Sequence, residues 1–153
     1  MIGILYDNII RDSRTYHLFK NLNELAKKYS CYLFANRIHQ FPIEPNFPIL
    51  QQIEAMSHGG ILISTSILNT QILANVLTCK RKIFYMYNIE LLTLDKFNTN
   101  QLTKIFYNDD IDLLIRDDGY REYCIKMFKE PLQDTLLNWD YRALEKIYHD
   151  TVF

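Results

Sequence analysis

The stretch IGILY at residues 2–6 is a short apolar run that turns polar at Asp7. Such a run is typical of a strand buried on both faces of a parallel sheet. Apolar residues at three-to-four spacing follow it and predict a helix, which Asp12 or Ser13 can cap. A second apolar run, CYLFA at residues 31–35, then completes a strand–helix–strand unit.

The same alternation continues along the chain. Apolar runs predict strands at residues 2–6, 31–35, 61–64, 83–87 and 111–115, and a weaker sixth strand at 134–137. Helical spacing and caps predict helices at residues 13–29, 49–57, 67–78, 101–107, 119–129 and 141–148. Residues 37–48 hold three of the four prolines and are predicted to form a loop.

Strands that alternate with helices predict an α/β fold. We expect one Rossmann-like domain over residues 1–153, with a single doubly wound, mostly parallel sheet. The first strand should be central, with the strands near residues 61 and 83 beside it on one side. One residue from each of four strands should be fully buried in that arrangement: Ile4, Leu62, Phe84 and Leu113.

Composition and charge exclude several function classes. The formal net charge of −1 predicts no bulk attraction to nucleic acid or to an anionic membrane. No apolar run approaches the roughly 20 residues of a membrane span, and the first residues do not resemble a secretion signal. Three widely separated cysteines without a CxxC pair suit the reduced thiols of a cytoplasmic protein.

Several common site motifs are missing. The loop after the first strand, residues 7–12, contains no glycine, so it cannot hold a dinucleotide in the way of a GxGxxG loop. The P-loop and the GxSxG hydrolase motif are missing as well. The four histidines share no metal-ligand spacing, so no metal site is expected. A receiver domain would need an aspartate where Ser64 stands and a lysine where Arg116 stands.

The candidate site lies where the strands end. In doubly wound sheets, ligands bind outside the carboxyl ends of the strands. The residues predicted to lie at that edge are 7–13, 36–39, 64–66, 88–90, 116–120 and 138–140. Arg116 and Arg121 follow the fifth strand, and whether they face an anionic ligand at a helix N-terminus stays open.

From Gly60 onward, the order of features resembles the N-terminal domain of GT-B glycosyltransferases, including phage enzymes that glycosylate modified DNA bases. Three stretches carry the resemblance: GILISTS at residues 60–66, KIFYMYNIE at 82–90, and IDLLIR at 111–116 with TLLNWD at 135–140. The second resembles the strand that ends at the interdomain cleft of those enzymes. The third resembles the segment that leads into their second domain.

This resemblance implies a glycosyltransferase-related half-domain. Glu90 and Asp7 would be its catalytic carboxylates, and Arg116 would favour a phosphate. The remaining substrate-binding residues would be Ser64, Thr65, Ser66 and Asn88. The donor would be a sugar nucleotide, held by a separate protein chain or by a second copy, and the acceptor a modified DNA base. A phage-encoded enzyme of this kind would work in the host cytoplasm.

Two departures from the family leave an alternative open. The chain stops where the second domain would begin, so the chain alone is not expected to transfer sugar. Asn88 stands where the phage enzymes carry an acid, and an amide cannot act as a general base. The alternative is a non-catalytic nucleotide- or protein-binding module, because a Rossmann-like scaffold by itself does not specify an activity.

Overall fold

A six-stranded sheet with all strands parallel forms the centre of the molecule. The computed structural model describes residues 1–88 and 99–152. The strands are β1 (Ile2–Ile9), β2 (Cys31–Ile38), β3 (Ile49–Gln51), β4 (Ile61–Ser64), β5 (Arg81–Met86) and β6 (Ile111–Ile115). The predicted Rossmann-like α/β fold is therefore confirmed.

The strand order is β3-β2-β1-β4-β5-β6, with β1 in the interior of the sheet. Ile4 of β1 pairs with Leu33 of β2 on one side and with Ile63 of β4 on the other. The chain builds one half of the sheet outward from β1, returns to the centre, and builds the other half from β4. The order of the strands therefore reverses between β1 and β4, as expected from the sequence.

Helices cover both faces of the sheet. They are α1 (Ser13–Ala26), α2 (Ile67–Asn75), α3 (Thr99–Phe106), α4 (Arg121–Met127) and α5 (Tyr141–Val152). Ile4 belongs to the core that α1 and α5 cover, whereas the next residue, Leu5, belongs to the core under α2, α3 and α4. This alternation is the strand period of two. None of the helices in the described residues combines the length and apolarity that a membrane span needs.

Side-chain caps fix where three helices begin. The Asp12 carboxylate accepts a hydrogen bond of 2.7 Å from the backbone N–H of Thr15 and caps α1. Ser66 caps α2 by accepting from the N–H of Asn69. Asp140 caps α5 in the same way. The sequence left Asp12 and Ser13 open as the cap of α1, and the structure shows Asp12; each cap satisfies backbone donors that the first helical turn leaves unpaired.

The predicted core is confirmed. Ile4 and Leu62 are completely buried, and Phe84 and Leu113 are 3% and 2% exposed. Cys31 and Cys124 are free, buried thiols. Burial raises the pKa of Cys31 to about 11, so it behaves as a small apolar side chain.

The predicted helix over residues 49–57 is wrong. Residues Ile49–Gln51 form β3, which pairs in parallel with β2, and only Gln52–Ser57 form a short 3-10 helix. Pro48 favours an extended start, and its carbonyl accepts a hydrogen bond from the N–H of Leu33. Ile53, in this 3-10 helix, is 71% exposed.

The predicted sixth strand at residues 134–137 is also wrong. The segment runs beside β6 and forms one isolated bridge, between Ile115 and Thr135. It then enters a 3-10 helix, Leu137–Trp139, in which Asn138 and Trp139 have φ values of 48° and 63°. Left-handed backbone cannot continue an extended strand, so pairing stops there.

Candidate functional site

The carboxyl edge of the sheet brings together polar residues from distant parts of the chain. They come from the ends of β1, β4, β5 and β6, from the first turn of α1, and from the 3-10 helix Leu137–Trp139. The residues that define this edge cluster are Asp7, Arg14, Ser66, Tyr87, Arg116 and Asn138. Hydrogen bonds and ring contacts connect most of them directly.

A small pocket lies at the strand-order reversal between β1 and β4. Its volume is about 200 Å³, and its lining residues are Tyr6, Asp7, Asn8, Ile10, Asp12, Arg14 and Thr65. This volume is below the roughly 300–1,000 Å³ of pockets that enclose a drug-sized ligand. The pocket therefore suits one part of a ligand that extends along the edge.

A wider depression of about 410 Å³ lies at the opposite end of the sheet, where α1 ends and β2 begins. We consider it the weaker candidate, since ligands of doubly wound sheets bind at the carboxyl edge. The N-termini of α1 and α2 follow β1 and β4 directly and favour negative charge at that edge.

Three of the predicted site residues lie at the pocket and its rim. The Asp7 carboxylate accepts a hydrogen bond of 3.1 Å from the hydroxyl of Ser66. Thr65 is buried, and its hydroxyl donates to the carbonyl of Leu5 at 2.9 Å. The Thr65 carbonyl in turn accepts from Nη2 of Arg14 at 3.2 Å. Asp7 is half-buried and is the carboxylate best placed to contact a ligand there.

The other predicted residues have different positions. Ser64 is completely buried, and its hydroxyl shares a hydrogen bond of 2.7 Å with Thr70 of α2, which gives it a packing role. Asn88 is half-buried just beyond the end of β5. Glu90 lies outside the described residues. Arg121 turns away from the edge and donates to the backbone of residues 131–133.

Two arginines stack on one tyrosine at this edge. The guanidinium carbon of Arg14 lies 4.6 Å from the centre of the Tyr87 ring, and that of Arg116 lies 4.7 Å from the same centre. These are distances at which a cation is attracted to an aromatic ring. Arg14 also lies 5.5 Å from the Tyr6 ring, which is buried next to the pocket. Sequence reasoning identified Arg116 but missed Arg14 and Tyr87.

Asn138 holds Arg116 in place from a left-handed turn. Its side-chain oxygen accepts a hydrogen bond of 3.2 Å from Nη2 of Arg116, and its carbonyl accepts one from Asn21 of α1. Trp139 anchors the turn, since it is completely buried with its ring 4.7 Å from that of Tyr85. The Tyr85 hydroxyl donates to the carbonyl of Leu136. Burial raises the pKa of Tyr85, which therefore stays a neutral donor.

The side chains that commonly bind metal ions do not cluster among the described residues. Within residues 1–88 and 99–152, no three histidine, cysteine, aspartate or glutamate side chains lie close enough together to hold a metal ion. The edge cluster offers guanidinium groups, the half-buried Asp7 carboxylate and an aromatic ring. Such groups bind and orient a polar ligand.

The strand order and the edge cluster together define the class of protein. It is a Rossmann-like α/β protein with a polar cluster at the carboxyl edge of its sheet. The order 3-2-1-4-5-6 is the arrangement in which such proteins bind dinucleotides. Comparison with protein-family models, curated proteins and solved structures found no match.

Proposed function

We propose that the chain is a nucleotide-binding module whose ligand lies across the carboxyl edge of the sheet. The observation that carries the proposal is the pocket at the strand-order reversal between β1 and β4, lined by Asp7, Arg14 and Thr65. This is the position where sheets of this order bind their ligands. The hydroxyl, carboxylate and guanidinium groups in its lining suit a polar ligand with a charged part.

The ligand cannot be held as a GxGxxG loop would hold it. Residues 7–12 contain no glycine, and the first-turn donors that a phosphate would use are partly occupied. Asp12 caps α1 and Ser66 caps α2, so these side chains already bind backbone N–H groups there. Recognition therefore depends on side chains, and the pocket takes only one part of the nucleotide.

Two-dimensional NMR titration tests where a nucleotide binds. We expect ADP or UDP to shift the backbone amide signals of Asp7, Asn8 and Thr65. The signals of Lys28 and Ser30, at the depression on the opposite end of the sheet, should stay unchanged. At a ligand concentration about 100 times the dissociation constant, binding should also stabilise the protein by about 2.7 kcal/mol. Shifts confined to Lys28 and Ser30 would refute the proposed site.

Asp7 favours a second candidate, the glycosyltransferase-related half-domain that the sequence resembles. Its carboxylate lines the pocket and keeps a fixed position through its hydrogen bond with Ser66. A carboxylate so placed can act as a general base toward an acceptor hydroxyl. The donor-binding partner chain, the DNA acceptor and the role of Glu90 stay predictions.

A transfer assay tests whether the chain by itself is catalytic. The wild-type chain and the Asp7→Asn variant are each incubated with UDP-glucose and hydroxymethylated DNA, and sugar transfer is measured by mass spectrometry. A binding module should give no product with either protein. The substitution should change the unfolding free energy by less than about 0.5 kcal/mol, since the asparagine oxygen can still accept from Ser66. Transfer by the wild type that Asp7→Asn abolishes would overturn the binding module and show that this chain catalyses transfer without a partner chain.

A further inference from the structure

We infer that Arg14 and Arg116, which both lie against the Tyr87 ring, form a phosphate-binding site at the carboxyl edge of the sheet. The inference rests on the proposed nucleotide-binding function and specifies which group of the nucleotide these arginines bind. Arg14 belongs to none of the quoted motifs, and Tyr87 lies within the stretch KIFYMYNIE but was assigned no role there. The tertiary structure places them together, from the first turn of α1 and from the end of β5.

The two guanidinium groups carry positive charge without a matching carboxylate. In the part of the chain that the structure describes, no ion pair includes Arg14 or Arg116, whereas Arg81 and Arg121 are each paired with an aspartate. Two like charges against one ring repel each other, and the repulsion grows as they are removed from water. A bound anion would relieve it.

The nearby carboxylates are engaged elsewhere. Asp7 accepts from Ser66, Asp12 caps α1, and Asp117 accepts from the N–H of Gly119. None of these acids is hydrogen-bonded to either arginine. Among the described residues, no carboxylate therefore pairs directly with either arginine, and an anionic ligand can do so.

The guanidinium groups of Arg14 and Arg116 also have hydrogen-bond donors that no acceptor among the described residues uses. Arg14 donates to the Thr65 carbonyl and Arg116 to the Asn138 side chain, and both acceptors are neutral. The Nε atoms of both arginines are buried with no acceptor among the described residues. Buried donors normally have a partner, so both guanidinium groups keep hydrogen-bonding capacity that the described residues do not use.

The turn that positions Arg116 has a strained backbone. Asn138 and Trp139 both have positive φ, which costs roughly 1–3 kcal/mol per residue of this kind. The strained turn directs the Asn138 oxygen at Arg116, while the Thr65 carbonyl fixes Arg14. Fixed guanidinium groups match the oxygens of a phosphate better than flexible lysines do. A phosphate of a nucleotide is therefore the ligand group that suits the pair.

Isothermal titration calorimetry with three kinds of probe tests the inference: inorganic pyrophosphate, a nucleoside diphosphate (ADP or UDP), and the matching nucleoside. We expect the diphosphate to bind at least about tenfold more tightly than the nucleoside, because charge-assisted hydrogen bonds are the strong ones. Arg14→Gln and Arg116→Gln should each weaken diphosphate binding about tenfold and leave nucleoside binding unchanged. Arg142→Gln is the matched control, since Arg142 lies exposed on α5.

Arg116→Lys covers the case in which the glutamine variant fails to fold. It keeps the charge but loses the planar fork, so part of the phosphate affinity should remain. Equal affinities for nucleoside and diphosphate would overturn the inference and leave the proposed function standing. Arginine-dependent binding of pyrophosphate, with no gain from a nucleoside, would support the phosphate site and overturn the nucleotide proposal. Equal losses in Arg116→Gln and Arg142→Gln would overturn the site.

Discussion

Replacement of Trp139 by alanine should lower the unfolding free energy by about 3–5 kcal/mol. The indole is completely buried and packs edge-on against the Tyr85 ring at 4.7 Å. Its removal leaves a cavity that the fixed sheet and α1 cannot fill. Alanine also keeps the unfavourable positive φ of this position, so no backbone strain is relieved. Urea unfolding measured by circular dichroism gives the free energy.

Two further variants serve as controls for Trp139→Ala. Leu137→Ala, two residues away, should change stability by no more than about 0.5 kcal/mol, since Leu137 is 54% exposed. Trp139→Phe should cost much less than Trp139→Ala, because the indole nitrogen has no acceptor among the described residues and only packing is reduced. A loss below about 1 kcal/mol in Trp139→Ala would contradict the role of this side chain as the anchor of the turn.

Replacement of Gly3 by alanine should destabilise the protein by about 1–3 kcal/mol. A methyl group at this position would lie 2.8 Å from a ring carbon of Phe34, 2.9 Å from Leu62 and 3.1 Å from His58. All three neighbours are buried, so the strand β1 or the facing core must shift. The single tryptophan remains intact in this variant, so its fluorescence can follow urea unfolding.

Gly59→Ala is the matched control and should have the opposite sign. A methyl group there meets no atom within 4 Å, and the backbone φ is not positive. Alanine should therefore stabilise the protein by about 0.4–1 kcal/mol, since it restricts the unfolded chain. Similar free energies for Gly3→Ala and Gly59→Ala would show that the core around β1 yields to the added methyl group.

The candidate site could be predicted only in part. Sequence reasoning placed Asp7, Ser66 and Arg116 at the carboxyl edge. The end of a predicted parallel strand lies at that edge because of its backbone position, independently of the side-chain contacts. Sequence reasoning did not distinguish Ser64, whose hydroxyl packs against α2, from Ser66 two residues later. Alternation along a strand would place residues 64 and 66 on the same face of the sheet. Because β4 ends at Ser64, the backbone changes direction there, and Ser66 does not follow that alternation.

Arg14 illustrates why the other part of the candidate site could not be predicted from the sequence. Its position in the first turn of α1 was predictable, but its contact with Tyr87 depends on how far α1 and β5 lie apart at the edge. The signal that could have indicated it is the occurrence of arginines after both the first and the fifth strand. That signal is weak, since most surface arginines are solvated.

The pattern of apolar runs and polar caps by itself predicted the parallel sheet, the central place of β1 and the helix starts that α1, α2 and α5 have. Long apolar runs must be buried on both faces, and a cap depends only on residues within one turn. The tertiary structure alone decided that residues 49–51 extend the sheet, that residues 138–139 form a left-handed turn, and that two arginines meet on Tyr87. Each of these features depends on contacts between segments far apart in the chain, which no local pattern encodes.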